Sequence, residues 1–343
     1  TQHTMTNKHT KDVALVLASG GPRGFAYIGA IEELEARGYN ITSVTGCSIG
    51  SLVGGIYAAG GLQDFKEWLF QLNNYKLLGL LDISLSKSYL VKGEKVINAI
   101  KNIVPDVNIE DLRIPYRAVA TDLYTGEQVI FKSGKLFEAI RSSISIPSMF
   151  RPVRIGNHTM VDGGILNTVP MDIAVRNGHD LLVTFDVNQI DSDKIATSLA
   201  AYHEAKDKYS DSKLDIKGVL EQLPVKKEKS LLEMAKWVGD ETHKLILKDK
   251  EAHQKVKEID KKAEEANMPF VEDDNYYSIL SRSFSLMLST VARLQLQLFK
   301  PDILVKMNFD SYGNITDYTK GAEISDKGRE LMSKALDEYE KSL

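Results

Sequence analysis

The sequence predicts an α/β fold built around a mainly parallel sheet. A continuous apolar run at 13–18, and runs at 41–45, 116–122 and 181–187 in which apolar residues are mixed with polar ones, are typical of buried strands. Segments with apolar residues at helical spacing separate these runs, which is the pattern of successive βαβ units. The first two runs flank one such helix, so they are predicted to form the first βαβ unit.

Length and composition are those of an ordinary globular protein. The 343 residues are 43% hydrophobic and 26% charged, enough for one large domain or a domain with an insertion. The net charge of -4 gives no basic footprint, so nucleic acid is not an expected partner. The single cysteine excludes an intrachain disulfide and favours a reducing compartment. No secretory or membrane-spanning apolar run is visible, so a cytoplasmic location is expected, although a segment removed earlier would leave no trace.

The turn after the second strand has the pattern of a nucleophile elbow. The chain there reads Gly46-Cys47-Ser48-Ile49-Gly50 and continues with small and apolar residues. Such a turn strains the serine backbone, and glycine two positions to either side lets strand and helix pass closely. Ser48 is therefore the candidate nucleophile, at a helix N-terminus that favours negative charge. Its neighbour Cys47 is expected to be a packed and inert thiol.

A second glycine-rich turn follows the first strand, where the chain reads Ser19-Gly20-Gly21-Pro22-Arg23-Gly24. Glycines between a buried strand and a helix expose backbone N–H groups that can hold an anion. The spacing is not the G-x-G-x-x-G of a dinucleotide site. Because two neighbouring strand-to-helix turns can face each other, this turn can supply an oxyanion hole for Ser48. The Arg23 side chain either braces the loop and adds positive potential or forms a surface ion pair.

An aspartate follows a short apolar strand farther along, in the sequence Asp162-Gly163-Gly164. An acid at a strand end can reach the end of a neighbouring strand, although an isolated aspartate here is most often a turn residue. Only the fold can bring Asp162 to Ser48.

Together, the three motifs resemble those of the patatin-like phospholipase family. That family is characterised by G-G-G-x-[RK]-G, G-x-S-x-G and D-G-[GA], which occur here in the same order. The segments Ala120-Thr121-Asp122-Leu123 and Ser145-Ile146-Pro147 also look like its bacterial members. The resemblance covers residues 12–190 well and 300–343 loosely. Ser19 departs from the glycine that is common in the family, but the backbone donors survive that change.

The resemblance implies a three-layer α/β/α fold and a lipid acyl hydrolase of the phospholipase A, lysophospholipase or carboxylesterase type. Ser48 would attack an ester of a phospholipid or another acyl ester while Asp162 accepts its proton, with no metal or cofactor. The implied oxyanion hole consists of backbone N–H groups of Gly20, Gly21, Arg23 and Ile49. The glycines that support the motifs are Gly24, Gly46, Gly50, Gly163 and Gly164.

Three further features carry less specific predictions. Asp122 is either a site acid or, more commonly for such a position, a turn-capping residue. His158 lies in a turn and is expected to have a surface role. The apolar run Leu77-Leu78-Gly79-Leu80-Leu81 either lines an acyl pocket or acts as a lid, or it forms a short core helix.

The domain prediction has three parts. Residues 1–11 are expected to be a disordered leader or a remnant of expression, 12–190 with 275–343 to form the hydrolytic domain, and 191–274 to be a charged helical insertion. The insertion is dense in lysine and in acidic residues. A lysine-rich face there could contact anionic lipid, but the mixed signs favour solvated faces. A helix from Pro170 to Asn177, closed by Gly178, is expected within the hydrolytic domain, and a helix at 275–300 is expected to return the chain to the core. The sequence does not indicate an oligomeric state.

Three rival functions remain open at this stage. An α/β-hydrolase triad would place the elbow after a later strand and needs a histidine in a late loop. An acyltransferase could use the same elbow chemistry, usually with a histidine partner. A non-catalytic scaffold would bind a partner through the charged insertion, but the complete set of Ser48, Asp162 and the glycine turn argues against it.

Overall fold

A large sheet with helices on both faces organises the chain. The structure is a computed structural model that describes residues 11–83, 89–210, 240, 244, 248, 250–252, 254–262, 276–312 and 315–343. Its strands are β1 Asp12–Leu17, β2 Asn40–Cys47, β3 Tyr89–Val91, β4 Tyr116–Asp122, β5 Gln128–Phe131, β6 Ser148–Phe150, β7 Val153–Ile155, β8 His158–Asp162, β9 Leu181–Gln189 and β10 Ile303–Asn308. Its helices are α1 Ala26–Ala36, α2 Ile49–Ala58, α3 Leu62–Phe70, α4 Asn74–Leu80, α5 Glu94–Lys101, α6 Leu136–Ser143, α7 Ser192–Ser210, α8 Tyr276–Leu298 and α9 Gly321–Ser342.

The main sheet has eight strands in the order β10-β9-β1-β2-β4-β8-β7, with β5 paired to β4. Pairing is parallel from β10 to β4 and antiparallel where β4 meets β5 and β8 and where β8 meets β7. The central strands β1, β2 and β9 are almost entirely buried, as their apolar runs predict. A second sheet pairs β3 with β6. The predicted mainly parallel α/β fold is confirmed.

Helices cover both faces of this sheet, which completes the three layers. On one face α1 packs along α9 so closely that a Cβ at Gly328 would lie 1.8 Å from the carbonyl oxygen of Ala26. Only glycine permits that approach. On the other face, Ala292 of α8 packs with Ala14, Val16 and Leu182 of the strands.

The chain divides into two compact units, Thr1–Ile190 with Ile279–Leu343 and Asp191–Ser278. Within the second unit, the Tyr202 hydroxyl donates to Asp260 at 2.6 Å and the Lys206 amine lies 3.0 Å from the same carboxylate. This link ties α7 to the helical residues 254–262. Most of the predicted charged helical insertion lies outside the described residues. Nearly all of the predicted leader lies outside them as well. The predicted domain boundaries therefore stay a prediction.

Two sequence predictions of helices need correction. The predicted helix from Pro170 to Asn177 is wrong, because this stretch holds a single 3-10 turn at Met171–Ile173. Its backbone groups bond elsewhere: the carbonyl of Val175 accepts from Ser43 and the N–H of Asn177 donates to Asp180. Helix α8 forms where predicted, but it is only partly a core helix. Leu288 and Ala292 are buried, whereas the apolar residues Ile279, Leu280, Leu286, Met287, Leu294 and Leu298 are exposed.

Among the described residues, no helix combines the length and the apolar character that crossing a bilayer requires.

Candidate active site

Ser48 occupies a sharp turn between β2 and α2. Its backbone has φ 53° and ψ -122°, a conformation that residues with a Cβ rarely adopt. The two flanking glycines are required by close approaches. A Cβ at Gly46 would lie 2.3 Å from the carbonyl oxygen of Gly50, and a Cβ at Gly50 would lie 2.2 Å from that of Leu17. The segment therefore has the strained strand-to-helix geometry of a nucleophile elbow.

Strand register brings Asp162 to Ser48, although 114 residues separate them. Cys47 pairs with Val119 of β4, and the next residue of β4, Ala120, pairs with Asp162 of β8. The ends of β2 and β8 therefore lie side by side across β4. The Ser48 hydroxyl donates to Oδ2 of Asp162 at 2.5 Å.

Asp162 is buried and held by its second carboxylate oxygen. Oδ1 accepts a hydrogen bond from the N–H of Gly164 at 2.8 Å, and the Asp162 N–H donates to the carbonyl of Ser145 at 2.9 Å. Burial raises the pKa of Asp162 to about 6, while the hydrogen bonds from Ser48 and Gly164 act in the opposite direction. The carboxyl is thus a stronger base than an ordinary aspartate and is ionised at neutral pH.

The glycine turn after β1 lies beside this pair, because Leu17 of β1 pairs with Gly46 of β2. The turn leads into a 3-10 segment, Gly21–Phe25. Gly24 packs directly on Ile49, since a Cβ at position 24 would lie 2.3 Å from that side chain. The turn is fixed at its start by Asn188, whose side-chain amide donates to the carbonyl of Ser19 at 2.7 Å.

An apolar pocket opens from Ser48 and contains about 980 Å³ of empty space, including its open mouth. Gly21, Ser48 and Ile49 lie on its wall, so the nucleophile and the glycine turn face the same space. The remaining wall is almost entirely apolar. It consists of Phe25, Leu52, Phe65, Trp68, Leu69, Leu72, Leu77, Leu80, Leu81, Val91, Val96, Ile100, Ile144, Ile146, Met149, Phe150 and Tyr318.

The burial of helix α4 decides between the interpretations of the apolar run at 77–81. None of its residues is buried, so the core-helix alternative is wrong. Leu77, Leu80 and the following Leu81 line the pocket, whereas Tyr75 and Leu78 are exposed.

Comparison with protein families decides the assignment of this region. Residues 15–175 match the family described as Patatin-like phospholipase. These residues are similar to a patatin-like phospholipase domain. The matched range contains the glycine turn, the elbow and Asp162, so the predicted resemblance is confirmed.

Individual relatives cover parts of the chain. An uncharacterized NTE family protein of Mycobacterium tuberculosis is 44% identical over 176 residues, which are 51% of this chain and 49% of that protein. The neuropathy target esterase of Drosophila melanogaster is 31% identical over 186 residues, 52% of this chain and 13% of that protein. This chain therefore matches about half of the mycobacterial relative. The crystal structure of VipD from Legionella pneumophila aligns over 96% of this chain and 88% of that one, at 16% identity and a TM-score of 0.35, which is too low to support a conclusion.

Arg23 of the patatin-like domain braces the glycine turn. Its side chain is buried and donates to the carbonyls of Val187 at 3.1 Å, Phe309 at 2.9 Å and Tyr312 at 3.1 Å. The guanidinium carbon also lies 3.9 Å from the centroid of the Phe309 ring. The surface ion pair considered from the sequence is wrong. These contacts tie the turn to the segment after β10, far outside the matched range.

Sequence reasoning missed Ser143, the last residue of α6. Its hydroxyl accepts from the N–H of Ser48 at 2.8 Å and donates to the carbonyl of Val119 at 2.6 Å. Ser143 is fully buried. It therefore holds the backbone of the elbow to the neighbouring strand. A single serine at the end of an amphipathic helix gives no sequence signal for this contact.

The other polar candidates lie away from the pair. Asp122 accepts from the Thr125 hydroxyl and from the Tyr124 N–H, and His158 contacts it at 2.6 Å. The hydrogen bond with His158 is the main reason why the pKa of Asp122 falls to about 2. Asp122 is thus the turn residue expected from its position. In the part of the chain that the structure describes, no histidine is hydrogen-bonded to Ser48 or Asp162.

Cys47 is an inert thiol, as expected. It is completely buried beside the elbow. Burial and the nearby Asp162 charge raise the pKa of this thiol well above its usual value, although a hydrogen bond with Ser19 lowers it somewhat. A protonated, enclosed thiol is a poor nucleophile.

Proposed function

We propose that this protein hydrolyses ester-linked acyl chains of lipids, with Ser48 as the nucleophile and Asp162 as its base. One observation carries the proposal: the Ser48 hydroxyl, on the wall of an apolar pocket, is hydrogen-bonded to the Asp162 carboxylate at 2.5 Å. An ionised carboxylate at that distance can accept the serine proton during attack on an ester carbonyl. The raised pKa of Asp162, about 6, supports this role because it strengthens the base while leaving it ionised at pH 7.

The reaction proceeds through an acyl-enzyme. Ser48 Oγ bonds to the carbonyl carbon and its proton moves to Asp162. The tetrahedral intermediate then expels the alcohol, which takes the proton from Asp162. In the second half, Asp162 removes a proton from water, the water oxygen attacks the acyl carbon, the bond to Ser48 breaks and Ser48 Oγ takes the proton from Asp162. Each half leaves Asp162 ionised again, and the second half also restores the Ser48 hydroxyl.

The proposed oxyanion hole consists of backbone N–H groups of Gly20, Gly21, Arg23 and Ile49. Pro22 has no N–H to offer. The N–H of Ser48 donates to Ser143, which leaves the next residue, Ile49, as the donor from the elbow. Helix α2 begins at Ile49, so its N-terminal dipole favours the negative charge that forms on the carbonyl oxygen.

The pocket supports a substrate with an acyl chain. Its wall of leucine, isoleucine, valine and aromatic side chains suits a hydrocarbon chain and offers little to a polar acyl group. The family match and the esterase name of the Drosophila relative agree with this class of reaction.

Labelling with a fluorophosphonate tests the nucleophile. The wild type should be labelled at Ser48 and the Ser48→Ala variant should not. Ser142→Ala is the matched control, because Ser142 is also buried but donates only to Glu138 of its own helix. Labelling that persists in Ser48→Ala would overturn the assignment. Panels of phospholipid, lysophospholipid, triglyceride and short-chain esters then identify the substrate, and added alcohol or lysophospholipid acceptors separate hydrolysis from acyl transfer.

We further propose that the pocket is loaded from a lipid surface through the outer side of α4. Tyr75 is 88% exposed and Leu78 is 63% exposed, while Leu77 and Leu80 of the same helix line the pocket. The next strand repeats this pattern, with Leu90 exposed and Val91 on the pocket wall. Exposed apolar side chains grouped beside a pocket are typical of a site that meets an apolar environment.

Vesicle binding tests this surface. The double variant Tyr75→Ser with Leu78→Ser should bind phosphatidylcholine vesicles about tenfold more weakly, since two apolar side chains lose their transfer from water. The control pair is Leu298→Ser with Phe299→Ser. Leu298 is 76% exposed and Phe299 is 39% exposed. They precede β10, at the N-terminal end of the parallel strands, whereas Ser48 follows the C-terminal end of β2. Equal binding by both double variants would refute this surface.

A further inference from the structure

Tyr318 places a hydroxyl group in the apolar pocket close to the glycine turn. It lies in the 3-10 segment Ile315–Thr319, ahead of α9 and outside the matched residues 15–175. Its side chain lines the pocket together with Ser48 and Gly21. The hydroxyl oxygen would be 3.8 Å from a Cβ built on Gly21, so it faces the backbone of that turn directly.

The ring of Tyr318 is fixed by packing. It meets Phe25 edge to face, with the ring centroids 5.8 Å apart and the planes at 75°. Phe25 ends the 3-10 segment that begins at Gly21. The tyrosine is therefore packed against the same short segment that carries the proposed oxyanion donors, and its hydroxyl keeps a fixed position relative to them.

Within the described residues, the Tyr318 hydroxyl has no hydrogen-bond partner, unlike four other tyrosines that are buried or lie nearby. Tyr27, Tyr57 and Tyr116 donate to Ala18, Glu35 and Ser51, and Tyr312 donates to Glu323. A polar group that enters an apolar pocket without a partner loses free energy unless a bound molecule supplies one. The pocket wall around it is almost entirely apolar, so the molecule that fills this pocket is the available acceptor.

The hydroxyl keeps its proton under any condition in which the enzyme would work. Burial raises the pKa of Tyr318 to about 12, and the nearby Asp162 charge adds to this effect while Arg23 opposes it. Tyr318 is thus a hydrogen-bond donor on the pocket wall that it shares with Ser48 and Gly21.

We propose that Tyr318 is a catalytic residue that donates a hydrogen bond to the substrate oxygen that becomes the oxyanion. This inference rests on the proposed function. When Ser48 Oγ bonds to the carbonyl carbon, the π electron pair moves to the carbonyl oxygen and the serine proton moves to Asp162. The Tyr318 O–H shares its hydrogen with that oxygen but does not transfer it. When the carbonyl reforms and the alcohol leaves with the proton from Asp162, the hydrogen bond weakens again.

The Tyr318→Phe variant tests this donor while the ring stays packed on Phe25. Its kcat on short-chain esters should fall on the order of 100-fold, as for removal of one oxyanion donor, with little change in KM. The rate of fluorophosphonate labelling at Ser48 should fall in parallel. Thermal stability should stay equal or rise, because the variant removes a hydroxyl that lacks a protein partner. Tyr57→Phe is the matched control, since that hydroxyl donates to Glu35, lies outside the pocket wall and should not affect either rate.

A series of esters with different alcohols separates this role from leaving-group stabilisation. A donor to the oxyanion predicts the same fold loss for p-nitrophenyl and alkyl esters of one acid. Loss confined to the alkyl esters would overturn the proposal in favour of a contact with the departing oxygen, and unchanged kcat would overturn any catalytic role. Failure of the dyad itself has a different signature, because the wild type would then not be labelled at Ser48.

Discussion

The polar end of the pocket and its apolar wall are built in opposite ways. At the polar end, Ser48, Asp162 and Ser143 are buried and linked by hydrogen bonds of 2.5 to 2.8 Å. Their positions follow from strand register and from the end of one helix. The apolar wall includes residues of α4, a helix in which no residue is buried. Each apolar side chain of the wall contributes only a small contact area.

A substitution should therefore have different effects on activity in the two regions. A reacting atom has to stand within a few tenths of an ångström of its partner, so the loss of one hydrogen bond at the polar end changes the rate sharply. An apolar wall acts through summed contact area, so the loss of one side chain changes affinity only slightly.

The Asp162→Asn variant should lower kcat by about a thousandfold, within the range typical for loss of a general base. The amide can still accept from the N–H of Gly164 and can donate to Ser48, so the fold and the KM should persist. Ester turnover with a circular dichroism control checks this expectation. Unchanged turnover would remove Asp162 from the mechanism.

The same variant should be more stable than the wild type at neutral pH. The pKa of Asp162 is raised from 3.8 to about 6, so the folded state holds the proton more tightly than the unfolded chain does. Wild-type stability should therefore fall as pH rises from about 4 to 6, by up to about 3 kcal/mol from this group, and stay level above. Urea unfolding at pH 4 and pH 7 measures this change in the free energy of unfolding. If the stability difference between Asp162→Asn and the wild type is the same at both pH values, burial does not raise the pKa of this carboxyl.

The Ser143→Ala variant should lower kcat by about thirtyfold, because it leaves the buried N–H of Ser48 without its acceptor, at about 1–3 kcal/mol. Ser142→Ala is again the control: its hydroxyl donates only to Glu138 of its own helix. Steady-state kinetics after correction for the folded fraction compare the two. Equal loss in both variants would mean that α6 is merely destabilised.

On the apolar wall, Leu77→Ala should have the smallest effect. The kcat/KM for long-chain esters should fall by about fivefold, near 1 kcal/mol for one partly buried side chain, and that for acetyl esters should not change. A chain-length series checks this. A loss that is equal for short and long acyl chains would contradict the assignment of Leu77 to an acyl-binding wall.

The sequence predicted the motifs at the strand ends, but it did not predict the contacts that residues from other elements make with them. Ser48, Asp162 and the glycine turn were predictable because tight turns demand particular residues, and Gly46 and Gly50 do meet backbone atoms of their neighbours. Ser143, the contacts of Arg23 and the position of Tyr318 were not. They depend on which side chains meet across long sequence separations, and a single serine, arginine or tyrosine carries no local pattern for this.

The pocket wall was visible only in part. Leu77 to Leu81 suggested a pocket because the run lacks helical periodicity, whereas Phe65, Val96 and Ile100 lie on amphipathic helices and read as ordinary core residues. Helix α8 shows the reverse error, since its apolar residues predicted more burial than the fold provides. A cytoplasmic location and the domain boundaries stay predictions from the sequence.

The backbone of Ser48 has a consequence for how such a chain can change over generations. Its φ of 53° strains any residue with a Cβ, by about 1–3 kcal/mol, and Ser48→Gly would relieve that strain. Asp162→Asn would likewise relieve the cost of a buried charge. Inactivating mutations at both positions therefore favour folding, and drift without selection on the chemistry would accumulate them. Retention of both less stable residues is what selection for the proposed reaction of Ser48 and Asp162 would produce.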